Sequence, residues 1–163
     1  MGLLDRFRPP RAPSVPVVGT RLGIDGGFCA VVDGSATVHL LDRPVRVGWW
    51  IGADDRWYDP SAERAVRQTR PGPAPVLETR LRVAGGDIVA TTWAAIGDGP
   101  AVVVELANET PVPVAVAITV DGDVRGIAVD GRRLLADGGV ACAVDRDAGR
   151  FALVDGSTDL WSV

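Results

Sequence analysis

The sequence predicts an all-β fold: an antiparallel β-sandwich built of hairpins, with one short helix in the 59–70 segment. Three observations carry that prediction. Along 76–83, Leu77, Thr79, Leu81 and Val83 fall on one side and Glu78, Arg80 and Arg82 on the other, the period-two alternation of a half-buried strand. Short runs of this kind recur along the chain with Gly, Asp or Pro between them, as in a sandwich and less closely a barrel. Composition agrees, since Val is the commonest residue at 25, while Glu numbers 4 against 17 Asp. Branched side chains favour strands, and Asp with Gly favours turns.

Residues 1–16 read as a flexible Pro/Arg-rich tail. Four prolines fall within 9–16 and favour an extended, weakly packed segment. An amphipathic turn over 1–8 is too short to hold in water. Residues 17–163 read as a single β-sandwich domain. Strands over 28–32 and 37–41 flank Asp33-Gly34-Ser35, a good hairpin turn. Val45, Val47, Trp49 and Ile51 form the apolar set of the next strand, leaving Arg46, Gly48 and Trp50 on its other face. In the 52–74 segment Asp59-Pro60 supplies an N-cap and first turn for a helix over 61–70, which Pro71-Gly72-Pro73 ends.

Two hairpins are expected next. A Gly85-Gly86 turn sets Val83 opposite Ile88, Leu81 opposite Ala90 and Glu78 opposite Trp93. In the second, Val102, Val104 and Leu106 share a face, as do Val112, Val114, Val116, Ile118 and Val120. For both sets to meet on one side the loop must be odd, either 109–111 or 108–112. Asp121-Gly122-Asp123 and Asp130-Gly131 read as turns around a strand over 124–129. Further strands are expected at 132–136, 140–144 and 151–154. Residues 157–163 begin another strand and stop, so the domain is expected to be truncated at its C-terminus.

Composition excludes several function classes. At 163 residues the chain is one domain by length, able to bury roughly 68–70% of its unfolded surface. All 17 basic residues are arginine, dispersed among acids at a net charge of −4, which is no nucleic-acid footprint. Cys29 and Cys142 are too few and too far apart for a disulfide scaffold or a zinc site, and read as isolated buried thiols. With no apolar leader segment and no membrane-length apolar stretch, a soluble cytoplasmic protein is the expectation.

No catalytic constellation is legible. His39, the single histidine, alternates with Val38 and Leu40 and reads as a solvated strand residue, with no serine in a nucleophile-elbow setting. Asp145-Arg146-Asp147-Ala148-Gly149 opens like a calcium loop but has glycine at the third and twelfth ligand positions. Asp54, Asp55, Asp59 and Glu63 lie near Trp57 and Tyr58, but acids close in sequence on a turn are ordinarily solvated, whereas glycosidases hold two across a cleft. No enzyme activity, cofactor or metal is expected.

The tryptophans are the functional hint. Trp49 alternates with core residues. Trp50 and Trp93 point to nominally outer faces, and with Trp57 and Tyr58 they are the candidate ligand or interface residues. They can be covered by the 52–74 segment, packed on a partner domain or subunit, or stacked on a carbohydrate.

The run Val103-Val104-Glu105-Leu106-Ala107-Asn108-Glu109-Thr110-Pro111-Val112-Pro113-Val114-Ala115-Val116 follows a strand pair over 76–96. This stretch of about 45 residues resembles a hairpin in the N-terminal β-sandwich domain of bacterial, especially actinobacterial, six-hairpin glycosidase-like proteins. In those proteins the sandwich is an accessory domain packed on an (α/α) barrel that carries the catalytic acids. The resemblance implies a lone, truncated sandwich module with no catalytic residue to carry over. Together with Trp50, Trp93 and the ending at Val163, the expectation is a non-catalytic module in a carbohydrate-processing protein, packing on a partner domain or subunit through its tryptophan-bearing face. The alternative is a free-standing carbohydrate-binding module using the same rings.

Overall fold

A computed structural model describes residues 18–24, 29–54, 56–96, 100–147 and 149–150. The tail over 1–16, the strand expected at 151–154 and the 157–163 ending lie outside the described residues. In chain order the strands are β1 (Thr20–Gly23), β2 (Cys29–Val32), β3 (Val38–Leu40), β4 (Val45–Ala53), β5 (Arg56–Tyr58) and β6 (Arg67–Thr69). They continue as β7 (Leu77–Val83), β8 (Gly86–Ile96), β9 (Pro100–Asn108), β10 (Ala115–Gly122), β11 (Ile127–Asp130), β12 (Arg133–Ala136) and β13 (Gly139–Ala143). The strands form three sheets: β1-β2-β3-β4-β10 with β5 also on β4, β6-β7-β8-β9, and β11-β12-β13. Among the described residues every pairing is antiparallel.

The first two sheets face each other across one apolar core. Leu22, Val32, Trp49 and Ile51 enter it from the first sheet, and Leu77, Leu81, Val83 and Ile88 from the second. Alternation along β7 is as the sequence requires, with residues 77, 79, 81 and 83 buried and 78, 80 and 82 turned outward. Trp49 lies in the core and its indole Nε1 donates to the Ser35 carbonyl at 3.1 Å, satisfying the one polar group the ring brings inside. A hydrogen bond also ties the two sheets together, because the Gln68 amide on β6 donates to the Asp33 carbonyl of the β2–β3 turn at 2.7 Å, as well as to Thr79 Oγ1 at 3.0 Å.

No helix forms in the 59–70 segment. Asp59 does start a turn: its Oδ1 accepts from Ser61 N and Oγ, and its carbonyl accepts from Ala62 N and Glu63 N. The turn does not propagate, because Arg67, Gln68 and Thr69 pair with Arg80, Thr79 and Glu78 and Val66 packs on the core. A strand edge with apolar burial outcompetes a helix of marginal length.

The β7–β8 turn is Ala84-Gly85 instead of Gly85-Gly86, so Val83 pairs with Gly86, Leu81 with Ile88 and Glu78 with Thr91. Gly85 takes the left-handed position at φ 84. Gly86 serves a close approach, since a Cβ there would lie 2.7 Å from the Glu109 carbonyl oxygen. In the same way the β11–β12 turn is Gly131-Arg132, with Asp130 paired to Arg133 and Gly131 at φ 58. Moving a two-residue turn by one position changes partners but not faces, so the inward sets are the expected ones.

The expected second hairpin is absent. β9 pairs with β8, and β10 pairs with β4 in the other sheet, so 109–114 is an arch between sheets. Glu109 N donates to the Asp87 carbonyl, and Pro111 lies against Gly85, which seats the arch on the β7–β8 turn. Val102, Val104 and Leu106 therefore meet Val114 and Ile118 across the core, and loop parity places no constraint on them. Gly122 ends β10 at φ 144, its carbonyl accepting from the Val124 amide in a tight turn and the Asp123 amide bonded to the Pro44 carbonyl.

Candidate functional site

The outer face of the first sheet is built by β4, β5 and β10. Along β4 the even positions point outward. Gly52 pairs with Trp57 of β5 and Ala115 of β10, Trp50 with Ala117, and Gly48 with Thr119. Trp50 and Trp57 thus share one face as diagonal neighbours, a spacing of about 7–8 Å between Cα atoms, and both are half-buried. Between and beside them the floor is small: Gly48, Gly52, Ala115 and Ala117, bordered by the hydroxyls of Thr119 and Thr37. The benzo edge of Trp57 lies over Gly52, with its Cζ3 and Cη2 each 3.2 Å from where a Cβ would stand.

The other candidates part from this pair. Trp93 lies on β8 opposite Val103 and points away from the core on the second sheet, the opposite side of the sandwich. A single face carrying both Trp50 and Trp93 is therefore not formed. Tyr58 pairs with Ile51 and belongs to the core at 9% exposure, with the Arg56 guanidinium 3.8 Å from its ring centroid. Sequence reasoning missed the glycine–alanine floor. Parity named Gly48 and Trp50 as outward, but Ala115, Ala117 and Thr119 join them only once β10 is known to pair with β4.

The acids do not assemble. Glu63 is held by Arg56 at 2.7 Å, Asp59 caps its own turn, and Asp55 lies outside the described residues. Asp147 is held by Arg132 at 2.8 Å. Among the described residues no cluster of three His, Cys, Asp or Glu side chains is placed to hold a metal ion. The Cys142 thiol is free and pushed above its ordinary pKa by burial, which lowers its reactivity.

His39 differs from expectation. Its side chain is only 14% exposed, and Nε2 lies 2.9 Å from Asp33 Oδ2. Asp33 Oδ1 accepts from the Ser35 hydroxyl at 2.6 Å and from the Ser35 and Thr37 amides at 2.9 and 3.1 Å. Burial works to raise the Asp33 carboxyl, but the His39, Ser35 and Thr37 hydrogen bonds outweigh it and hold the pKa below the ordinary aspartate value. The carboxylate stands between serine and histidine, whereas a hydrolase needs the histidine between serine and acid. This cluster closes the β2–β3 turn and has the wrong order for nucleophilic catalysis.

On the outer face of the second sheet Arg67, Arg80, Arg82 and Asp87 line a shallow hollow. Arg80 pairs with Glu78 and Glu109 at 2.8 Å each, which raises its pKa, and Arg82 pairs with Asp87 at 2.9 Å. Arg67, Arg80 and Arg82 are thus matched in charge by Glu78, Asp87 and Glu109, leaving no net attraction for an anion. Among the described residues no helix is long and apolar enough to cross a membrane. No family model matches the chain, and no curated protein or solved structure matches it either.

Proposed function

We propose that the chain is a non-catalytic β-sandwich module whose recognition surface is the outer face of the first sheet, packing there on a partner domain or subunit. The observation that carries this reading is the placement of Trp50 and Trp57 as diagonal neighbours on one outward face with a glycine–alanine floor. Large rings beside small residues give broad apolar contact at low cost in side-chain entropy, as interface cores do. The carbohydrate-processing setting rests on the resemblance of the 76–116 stretch. A photo-crosslinking residue in place of Trp50, introduced in the organism's own cells, tests the reading. A discrete adduct from position 50 and none from position 93 supports it. No adduct from position 50, with the variant folded, removes it.

A second reading, direct carbohydrate binding, is favoured by the hydroxyls of Thr37 and Thr119 beside Gly48 on the face that carries the rings. Stacking on an indole and hydrogen bonding to a hydroxyl are what a sugar ring requires. Affinity electrophoresis against soluble polysaccharides separates the two readings. Retardation abolished by W50A or W57A, and kept by W93A, selects carbohydrate.

A further inference from the structure

We infer that the free edge of β10 pairs with the same edge of a second copy of this chain, about a two-fold axis through Ile118. Among the described residues β10 has β4 as its only strand neighbour, and no described strand meets the backbone N–H and C=O groups of its other side, a template for another strand. The remaining edges of the two facing sheets are guarded. β1 is four residues long and carries Arg21, β5 is three residues long and carries Arg56, and β6 is three residues long and carries Arg67. β9 opens on Pro100 and carries Glu105. β10 is eight residues long and over Ala115 to Val120 has no charge or proline, its one charge being Asp121 next to its end, and Val116 stands 48% exposed on it.

The occupant follows from the sequence of the edge. Val116-Ala117-Ile118-Thr119-Val120 reads large, small, large, small, large from either end. Antiparallel pairing about Ile118 sets Val116 against the partner's Val120 and Ala117 against the partner's Thr119. It also sets Asp121 against the partner's Ala115, so no like charges oppose one another. Residues directly opposite share a face, so Val120 of the second copy covers the exposed Val116, and the two sheets join as one. The axis stands perpendicular to the sheet, which places both Trp50–Trp57 faces on the same side of the dimer. Two copies of a weak recognition face then act together.

Sedimentation velocity on the full chain across a wide concentration range tests the inference. The expected result is a reversible dimer of twice 17.1 kDa, with V116K shifting the dissociation midpoint by about tenfold or more while circular dichroism is unchanged. W50A is expected to keep the dimer, which separates this inference from the role proposed for the tryptophan face. A monomer at every concentration, or a dimer that a folded V116K leaves intact, overturns it. Should V116K not fold, amide exchange in the wild-type chain decides. Alternate amides over 115–121 must gain protection as concentration rises, and exchange independent of concentration overturns the inference.

Discussion

The benzo edge of Trp57 rests on Gly52, two of its ring carbons standing 3.2 Å from the place a Cβ would take. The glycine is what lets the indole lie down on the sheet beside Trp50. A side chain at 52 must lift the ring. Gly52→Val is expected to cost roughly 1–3 kcal/mol through overpacking and to abolish recognition at this face. Gly34→Ala, where a Cβ meets nothing within 4 Å, is expected to stay within about 0.5 kcal/mol of wild type. Urea melts of both variants, read with crosslinking from position 50, check the contrast.

Asp33 makes stability depend on acid pH. Its pKa is lowered in the folded chain, so the folded state binds the proton less readily than the unfolded chain. The contribution is fully present above the unfolded value of about 3.9 and is lost as pH falls through the folded value. The urea midpoint of the wild type is expected to fall as pH drops below about 4. Asp33→Asn should flatten that part of the curve and lower the midpoint at neutral pH. Parallel curves for the two proteins would remove Asp33 from this role.

Gly122 joins the first sheet to the 123–126 segment where no side chain fits. Its φ of 144 is one that other residues rarely adopt, and a Cβ would overlap the Pro44 carbonyl oxygen. Gly122→Ala combines backbone strain with a clash against main chain, and is expected to cost about 3 kcal/mol or more. Thermal unfolding measures the loss directly.

Thr79 and Thr92 are both fully buried in the core but are not equivalent. Thr79 Oγ1 accepts from Gln68, while Thr92 Oγ1 has no hydrogen-bond partner among the described residues. Replacing an unpaired buried hydroxyl by a methyl of the same shape removes a desolvation penalty, whereas breaking the Thr79 bond strands one Gln68 N–H while the other stays on the Asp33 carbonyl. Thr92→Val is therefore expected to gain about 1 kcal/mol, or about 2–4 °C in Tm. Thr79→Val is expected to lose stability, and calorimetry of the pair reads the difference.

The sequence made side-chain faces legible and left pairing obscure, for a physical reason. Alternation along β4 and β7 records which side of each strand is buried, and that record survives a shift of the turn by one residue, as at Ala84-Gly85 and Gly131-Arg132. It says nothing about which sheet a strand joins. Val102 to Leu106 and Val114 to Ile118 needed only to face a common core, and both a hairpin and an arch between sheets satisfy that requirement. The arch depends on Gly86 admitting the Glu109 backbone, a contact between segments distant in sequence. With 102–106 and 112–120 read as one hairpin, the floor around Trp50 is not legible, and nothing in the sequence sets Trp57 rather than Trp93 beside Trp50.

The most direct test of the central claim is crosslinking from position 50 against position 93. The two indoles lie on opposite faces of the sandwich, so each reports on one face alone. The account predicts a single adduct of defined mass from position 50, lost in the Gly52→Val background, and none from position 93. Adducts from position 93 with none from position 50 would contradict it.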